Sequence, residues 1–172
     1  VPEFYLSALG DGGTTVHSPF GAPDTVYEAT IGVPVVQLDW TMESDPGWTT
    51  EGQWGWGTPA GQGGNNYGNP DPSNGYTGSR VYGYNLLGDY ANGLPERHLT
   101  TGAIDCRELS DVTLRFRRWL NVEQPFYDHA YVRASTDGTT WTTLWENSGE
   151  ITDTSWTLQE LDISSIADDA SA

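Results

Sequence analysis

This sequence predicts an all-β fold, an antiparallel β-sandwich of the jelly-roll type, on three observations. No stretch holds apolar residues at helical spacing for three turns. Short runs that alternate, or are rich in β-branched and aromatic residues, recur along the chain. Gly, Pro, Asn, Asp, Ser and Thr punctuate those runs every few residues. Short strands with polar loops and hardly any helix pack as two antiparallel layers. At 172 residues the chain is long enough for one domain with a core, with or without a tail.

Residues 1–32 are broken by Pro and Gly and offer at most one strand, near "TVYEATI". They are expected to form an N-terminal leader, linker or donated strand, with the sandwich over 33–172. The opening Val-Pro reads as a piece processed from something longer. "VPVVQLDW" (33–40) is a β-rich run. "SRVYGYNLL" (79–87) alternates, with Val81 opposed to the face of Tyr82 and Tyr84. "DVTLRFRRWL" (111–120) puts Val112, Leu114 and Phe116 on one face and Thr113, Arg115 and Arg117 on the other. "DHAYVRAS" (128–135) sets Ala130, Val132 and Ala134 against Tyr131 and Arg133. "TDGTTWTTLWEN" (136–147) is a hairpin turning at Asp137-Gly138, because Gly tolerates the positive φ of a tight turn. "SWTLQELDI" (155–163) is the last strand, and "DISSIADD" (162–169) allows one helical turn.

"WTTEGQWGWGTPAGQGGNN" (48–66) sets Trp54 and Trp56 on one side of an extended chain, ahead of a Gly-, Asn- and Pro-rich loop over 57–78. A connection this long signals function or mobility more than packing. Eight Trp and nine Tyr make the chain heavy in aromatics. Flat rings stack on the apolar face of a pyranose while Asn, Asp and Arg take its hydroxyls. Trp54, Trp56, Tyr67 and Tyr76 are therefore the candidate ligand-binding set, the competing role for the two indoles being to cover the end of the core. Trp119, Trp141, Trp145 and Trp156 sit in strand patterns and are expected in the core or at its edge. The arginines of "RFRR" (115–118) are expected to pair with carboxylates on neighbouring strands.

The charge is strongly one-sided: 24 acidic residues against seven basic ones, all Arg, give a formal −17. Such a surface repels nucleic acid and anionic lipid, and no run is apolar enough to span a membrane, so neither nucleic-acid binding nor membrane insertion is expected. It suits divalent cations or plain solubility. Calcium takes six to eight oxygens. "NPDPSNG" (69–75) spaces Asn69, Asp71 and Ser73 as a calcium loop does. Its glycine falls one place late, however, and Arg80 stands where the bidentate Glu belongs, so it reads as an Asx-turn loop. Asp39, Glu43 and Asp128, at expected strand ends, are the candidate metal ligands. Cys106 is alone, either a buried thiol or half of a bridge to another chain. No G-x-S-x-G elbow, H-E-x-x-H or phosphate-binding glycine loop is present, and no catalytic residue is expected.

In order, "MESDPGWTTEGQWGWGTPAG", "PSNGYTGSRVYGYNLLGDYAN" and "LTTGAIDCRELSDVTLRFRRWLNVEQPFYDHAYVRASTDGTTWTTLWEN" resemble the MAM-like jelly-roll modules appended to secreted bacterial peptidases of the immune inhibitor A type. The resemblance covers roughly residues 36 to 168. It implies a non-catalytic, extracellular or cell-surface adhesion module, several of whose relatives hold structural calcium. It also implies that Glu43 ligates the cation, that Asp128 opens a central strand, and that Trp54 and Trp56 anchor the long loop. Such modules continue with a further pair of strands carrying a cysteine and an acid, so the sandwich is expected to lack its final strands. The functional expectation is a calcium-supported binding module for a glycan or a surface protein. The alternatives are a surface or filament subunit self-associating by strand donation through the N-terminal segment, and a carbohydrate-active enzyme on the same fold.

Overall fold

The computed structural model describes residues 3–4, 6–9, 15–19, 22, 24, 26–28, 33–65 and 67–171. The chain divides into two compact units, Val1–Asp39 and Trp40–Ala172.

The first unit holds β1 (Glu3–Phe4), β2 (Leu6–Leu9), β3 (Thr15–Ser18) and β4 (Tyr27–Glu28). Two antiparallel pairs form, β1 with β4 and β2 with β3. This is more strand than the sequence predicted, and β4 falls within "TVYEATI". The strand expected over 33–40 is not formed. Val33, Val35 and Val36 are 74–90% exposed. β-branched side chains favour a strand only where a pleated face is half covered, and Pro34 removes one ladder donor from the run.

The second unit opens with β5 (Thr49–Thr50), β6 (Trp54–Gly57), β7 (Val81–Tyr84), β8 (Leu99–Thr100) and β9 (Thr113–Arg118). It continues with β10 (Asn121–Val122), β11 (Tyr131–Ala134), β12 (Thr142–Glu146), β13 (Ile151–Thr152), β14 (Thr157–Asp162) and the single turn α1 (Ser164–Ala167). The unit is all-β apart from α1, and each described strand pairs antiparallel with one neighbour: β5 with β8, β6 with β7, β9 with β14, β10 with β13, β11 with β12. Val81, Cys106, Val122 and Ala167 are its buried apolar residues.

The longest ladder behaves as its pattern predicts. Along β9 and β14, half-buried and exposed residues alternate, and Arg115 stands opposite Glu160 and pairs with it at 2.8 Å. The hairpin is displaced from its prediction. Asp137-Gly138 does turn the chain, with Gly138 at φ +68° and the Asp137 carboxylate accepting the amides of Thr140 (2.7 Å) and Thr139 (2.8 Å). Those bonds, Thr140's foremost, hold the Asp137 carboxyl well below the usual range. The flanking strands are β11 and β12, however, with a register shift at Val132/Arg133 and seven residues between them. Trp141, expected in the core, lies at the end of that loop and is exposed.

Candidate functional site

The "WGWG" of β6 faces "VYGY" of β7 residue for residue: Trp54 opposite Tyr84, Gly55 opposite Gly83, Trp56 opposite Tyr82. Large rings therefore line one face and glycines the other. Both indole N–H groups donate to backbone carbonyls, Trp54 to Arg97 (3.1 Å) and Trp56 to Met42 (2.7 Å). Trp54 meets Tyr84 edge-on, and the Arg80 guanidinium lies 4.3 Å over the Trp56 ring. Trp48 stacks on Tyr82 and meets Trp40 edge-on. The two tryptophans thus spend their N–H groups and much of their ring surface on the protein itself.

Glu43 belongs to the same latch. Its Oε1 accepts the amides of Ser79 (2.7 Å) and Arg80 (3.0 Å), and those bonds, Arg80's first, hold its carboxyl below the ordinary value. A Cβ on Gly78 would stand 2.3 Å from that oxygen, which is why the chain carries glycine there. Asp45 accepts the Tyr82 hydroxyl at 2.7 Å. Asp128, 38 residues along from Tyr90, accepts that residue's hydroxyl at 2.8 Å. Asp39 is exposed at the end of the first unit. Among the described residues no group of three or more His, Cys, Asp or Glu side chains gathers as a metal cage.

The long loop does not stand free. Ala60 N–H donates to Leu86 O (2.8 Å), Gly64 N–H to Asp89 Oδ1 (2.7 Å) and Asp71 N–H to Gln62 O (2.9 Å). Asn69 is its main rivet: its amide donates to Asn121 Oδ1 at 3.0 Å, and its side chain donates to Thr152 O at 3.1 Å. The loop doubles back so tightly that a Cβ on Gly64 would lie 2.5 Å from the Asn69 carbonyl carbon, at φ +69°. Gly64→Ala is expected to cost about 1–3 kcal/mol of local strain. Limited proteolysis within 57–78 should speed up accordingly, and an unchanged cleavage rate would refute the crossing.

Between the loop and the neighbouring strand ends lies an open cleft of about 360 Å³. Pro70, Pro72 and Trp119 give it apolar surface, and Asn69, Asp71, Ser73 and Thr154 give it polar groups. Trp119 meets Trp156 edge-on at 5.8 Å, and its buried Nε1–H has no hydrogen-bond partner among the described residues. A second cavity of about 90 Å³ is lined by Asn121, which accepts the Asn69 amide and whose buried Nδ2 has no partner among the described residues. Tyr67, Tyr90, Asp89, Glu123, Asp128 and Glu150 stand around this second space. Burial, and then the bond to Asp128, push the Tyr90 hydroxyl above its ordinary pKa. Tyr67 is exposed at the rim; Tyr76 is exposed elsewhere, with Arg117 4.0 Å over its ring.

Burial, and then the Asp89 charge, raise Asp71 to about 6. The folded protein therefore holds a proton that the unfolded chain has released, and this group's contribution to stability falls as pH rises from about 4 to about 6. Asp71→Asn removes that slope. Its melting temperature should exceed the parent's near pH 7 and match it near pH 4, and equal melting curves at both values would contradict the assignment.

Of the sequence-predicted ligand residues, only Tyr67 borders these spaces, as does Asp128 of the predicted metal ligands. Trp119, Asn121 and Thr154 were not singled out for a site. A strand pattern marks Trp119 as core, and nothing in the sequence says that its N–H lacks a partner. The sequence places Asp71 in a turn, and only folding shows it half-buried beside Asp89.

No protein-family model matches this chain, and no solved structure matches it. It is similar to Bacillopeptidase F of Bacillus subtilis (strain 168), 34% identical over 95 residues; the match takes in 54% of this chain and 6% of that protein.

Proposed function

We propose that this chain is a non-catalytic binding module, a jelly-roll sandwich of the MAM-like type, carried by a larger extracellular protein, and that it takes a glycan in the cleft beneath the long loop. The observation that carries the reading is the composition of that cleft: an indole and two prolines beside an amide, a carboxyl and two hydroxyls, the buried N–H of that indole having no partner among the described residues. Apolar patches that accept a sugar face, ringed by fixed polar groups that accept its hydroxyls, are what pyranose recognition requires. The similarity to a small part of a peptidase supports the appended, extracellular setting.

The test is isothermal titration against a panel of neutral polysaccharides. Ser73→Trp, which fills the cleft, should weaken the positive member by about tenfold or more, or 1.4 kcal/mol. Trp54→Ala, with its indole outside the cleft, should leave the affinity of the folded protein unchanged. A panel without a binder contradicts the reading, and so does a binder indifferent to Ser73→Trp.

Calcium rests on the acidic composition and the family resemblance and is tested separately. The calcium-supported reading expects EDTA to lower the melting temperature, and Glu43→Ala to shrink that response. A melting curve untouched by EDTA removes calcium and leaves Glu43 as the clamp on Ser79 and Arg80 alone.

A second reading, self-association by strand donation, moves from residues 1–32, where the sequence put it, to the run 33–38, which is uncharged and unpaired and whose valines are exposed.

A further inference from the structure

The chain contains two Asp-Pro bonds, Asp45–Pro46 and Asp71–Pro72, and the fold treats their carboxyl groups in opposite ways. Asp45 Oδ1 accepts the Tyr82 hydroxyl at 2.7 Å and the Gly47 amide at 2.8 Å, and both bonds favour the carboxylate. Asp71 lines the cleft and is half-buried. Its carboxyl accepts no hydrogen bond from any described residue, and it faces the Asp89 carboxylate. No other residue lining that cleft is ionisable.

We propose that Asp71–Pro72 is a self-cleavage site, at which the Asp71 side chain cuts its own peptide bond to Pro72. In the acid form, a carboxyl oxygen of Asp71 adds to the Asp71 carbonyl carbon. The carboxyl proton passes to the Pro72 nitrogen, and the C–N bond breaks. Pro72 leaves as a free secondary amine, and Asp71 is left as a cyclic anhydride. Water then opens the ring to the α- and β-carboxyl groups of Asp71. The reaction consumes one water and needs no other reactant. One group supplies both nucleophile and proton, so the step runs only while that carboxyl keeps its proton. Partial burial and the facing Asp89 charge preserve the acid form at Asp71 toward neutral pH, and the Tyr82 and Gly47 bonds deplete it at Asp45. The cut would open the cleft wall and place an ammonium group there, with Asn69 still riveted to Asn121 and Thr152.

The experiment follows the intact mass of the full chain, kept folded at about pH 5, over time. Fragments 1–71 and 72–172 should appear about tenfold or more faster than fragments meeting at Asp45–Pro46, the ratio of the two protonated fractions. Asp71→Asn should abolish them, and in denaturant the two bonds should break at similar rates. Asp89→Asn, which keeps an oxygen for the Gly64 amide, should slow the folded-state cut. Equal cutting of both bonds in the folded chain would overturn the proposal, as would no cut at Asp71–Pro72 or cutting that persists in Asp71→Asn. None of these outcomes bears on whether the cleft also binds a glycan.

Discussion

Asn147→Ala is expected to cost about 3 kcal/mol or more, the largest effect of any single side chain outside the apolar core. Asn147 is 2% exposed, the one buried polar residue among those described. Its Oδ1 accepts the Ala130 amide at 2.9 Å, and its Nδ2 donates to the carbonyls of Glu123 (3.1 Å), Asp128 (3.2 Å) and Gly149 (3.3 Å). Its own amide donates to Ala130 O. One side chain thus ties the turn at 123–128 to the start of β11 and the end of β12, and no water can replace it without a cavity. Asn147→Asp keeps the shape but turns donors into acceptors facing three carbonyls, so it should be at least as damaging as Asn147→Ala. Urea midpoints measure both. A loss below about 1 kcal/mol for Asn147→Ala would mean that these groups find other partners. The same rivet holds Glu123 and Asp128, two walls of the cavity beside the cleft, so its loss should blunt ligand binding as well as stability.

Asp153→Ala is the second large effect, at about 3 kcal/mol. Asp153 and Arg118 are 11% and 18% exposed, with Nε to Oδ2 at 3.2 Å and Nη2 to Oδ1 at 3.4 Å. Asp153 Oδ2 also accepts the Leu120 amide at 3.0 Å, while its own amide donates to Leu120 O. Removing the carboxylate leaves a largely buried guanidinium with only the Trp145 ring, 5.2 Å away, for compensation. The double variant Arg118→Met/Asp153→Leu should recover a large part of that loss, because the cost lies in the stranded charge rather than in the missing attraction. A double variant as unstable as Asp153→Ala would place the cost in the Leu120 bonds. Arg118 directly precedes Trp119 and Asp153 directly precedes Thr154, so the pair also fixes two lining residues of the cleft.

Much of the local structure was legible before folding. The alternation over 111–120 and 155–163 predicted β9 and β14, since period-2 patterning records which face is covered, and the Asp137-Gly138 turn lay where φ above zero is required. The carboxylate partners of the RFRR arginines were legible for two of the three: Arg115 found Glu160 directly opposite and Arg118 found Asp153, while Arg117 lies over the Tyr76 ring instead. The failures have a common cause, which is that a residue's type does not say what comes to lie against it. The valines of 33–38 favour a strand, but no neighbouring strand pairs with them. Trp141 has a strand-like setting, but the ladder ends at the pair Ala134 and Thr142, one residue short of it. The site itself was the least legible part. Trp54 and Trp56 stood out by composition, yet their N–H groups are spent on Arg97 and Met42. The indole whose N–H has no partner among the described residues, Trp119, is hidden inside a pattern that reads as core, and its cleft lies beneath a loop that Asn69 helps fasten to β10 and β13.

The most direct test is a nitrogen-15 correlation spectrum of the folded chain, in which each tryptophan gives one indole N–H signal, followed while the glycan found by titration is added. With the glycan in the cleft, the Trp119 indole signal is expected to move with saturation, together with the amides of Asp71, Ser73 and Thr154, while the indole signals of Trp54 and Trp56 stay in place. Movement confined to Trp54 and Trp56, with Trp119 unmoved, would contradict that placement.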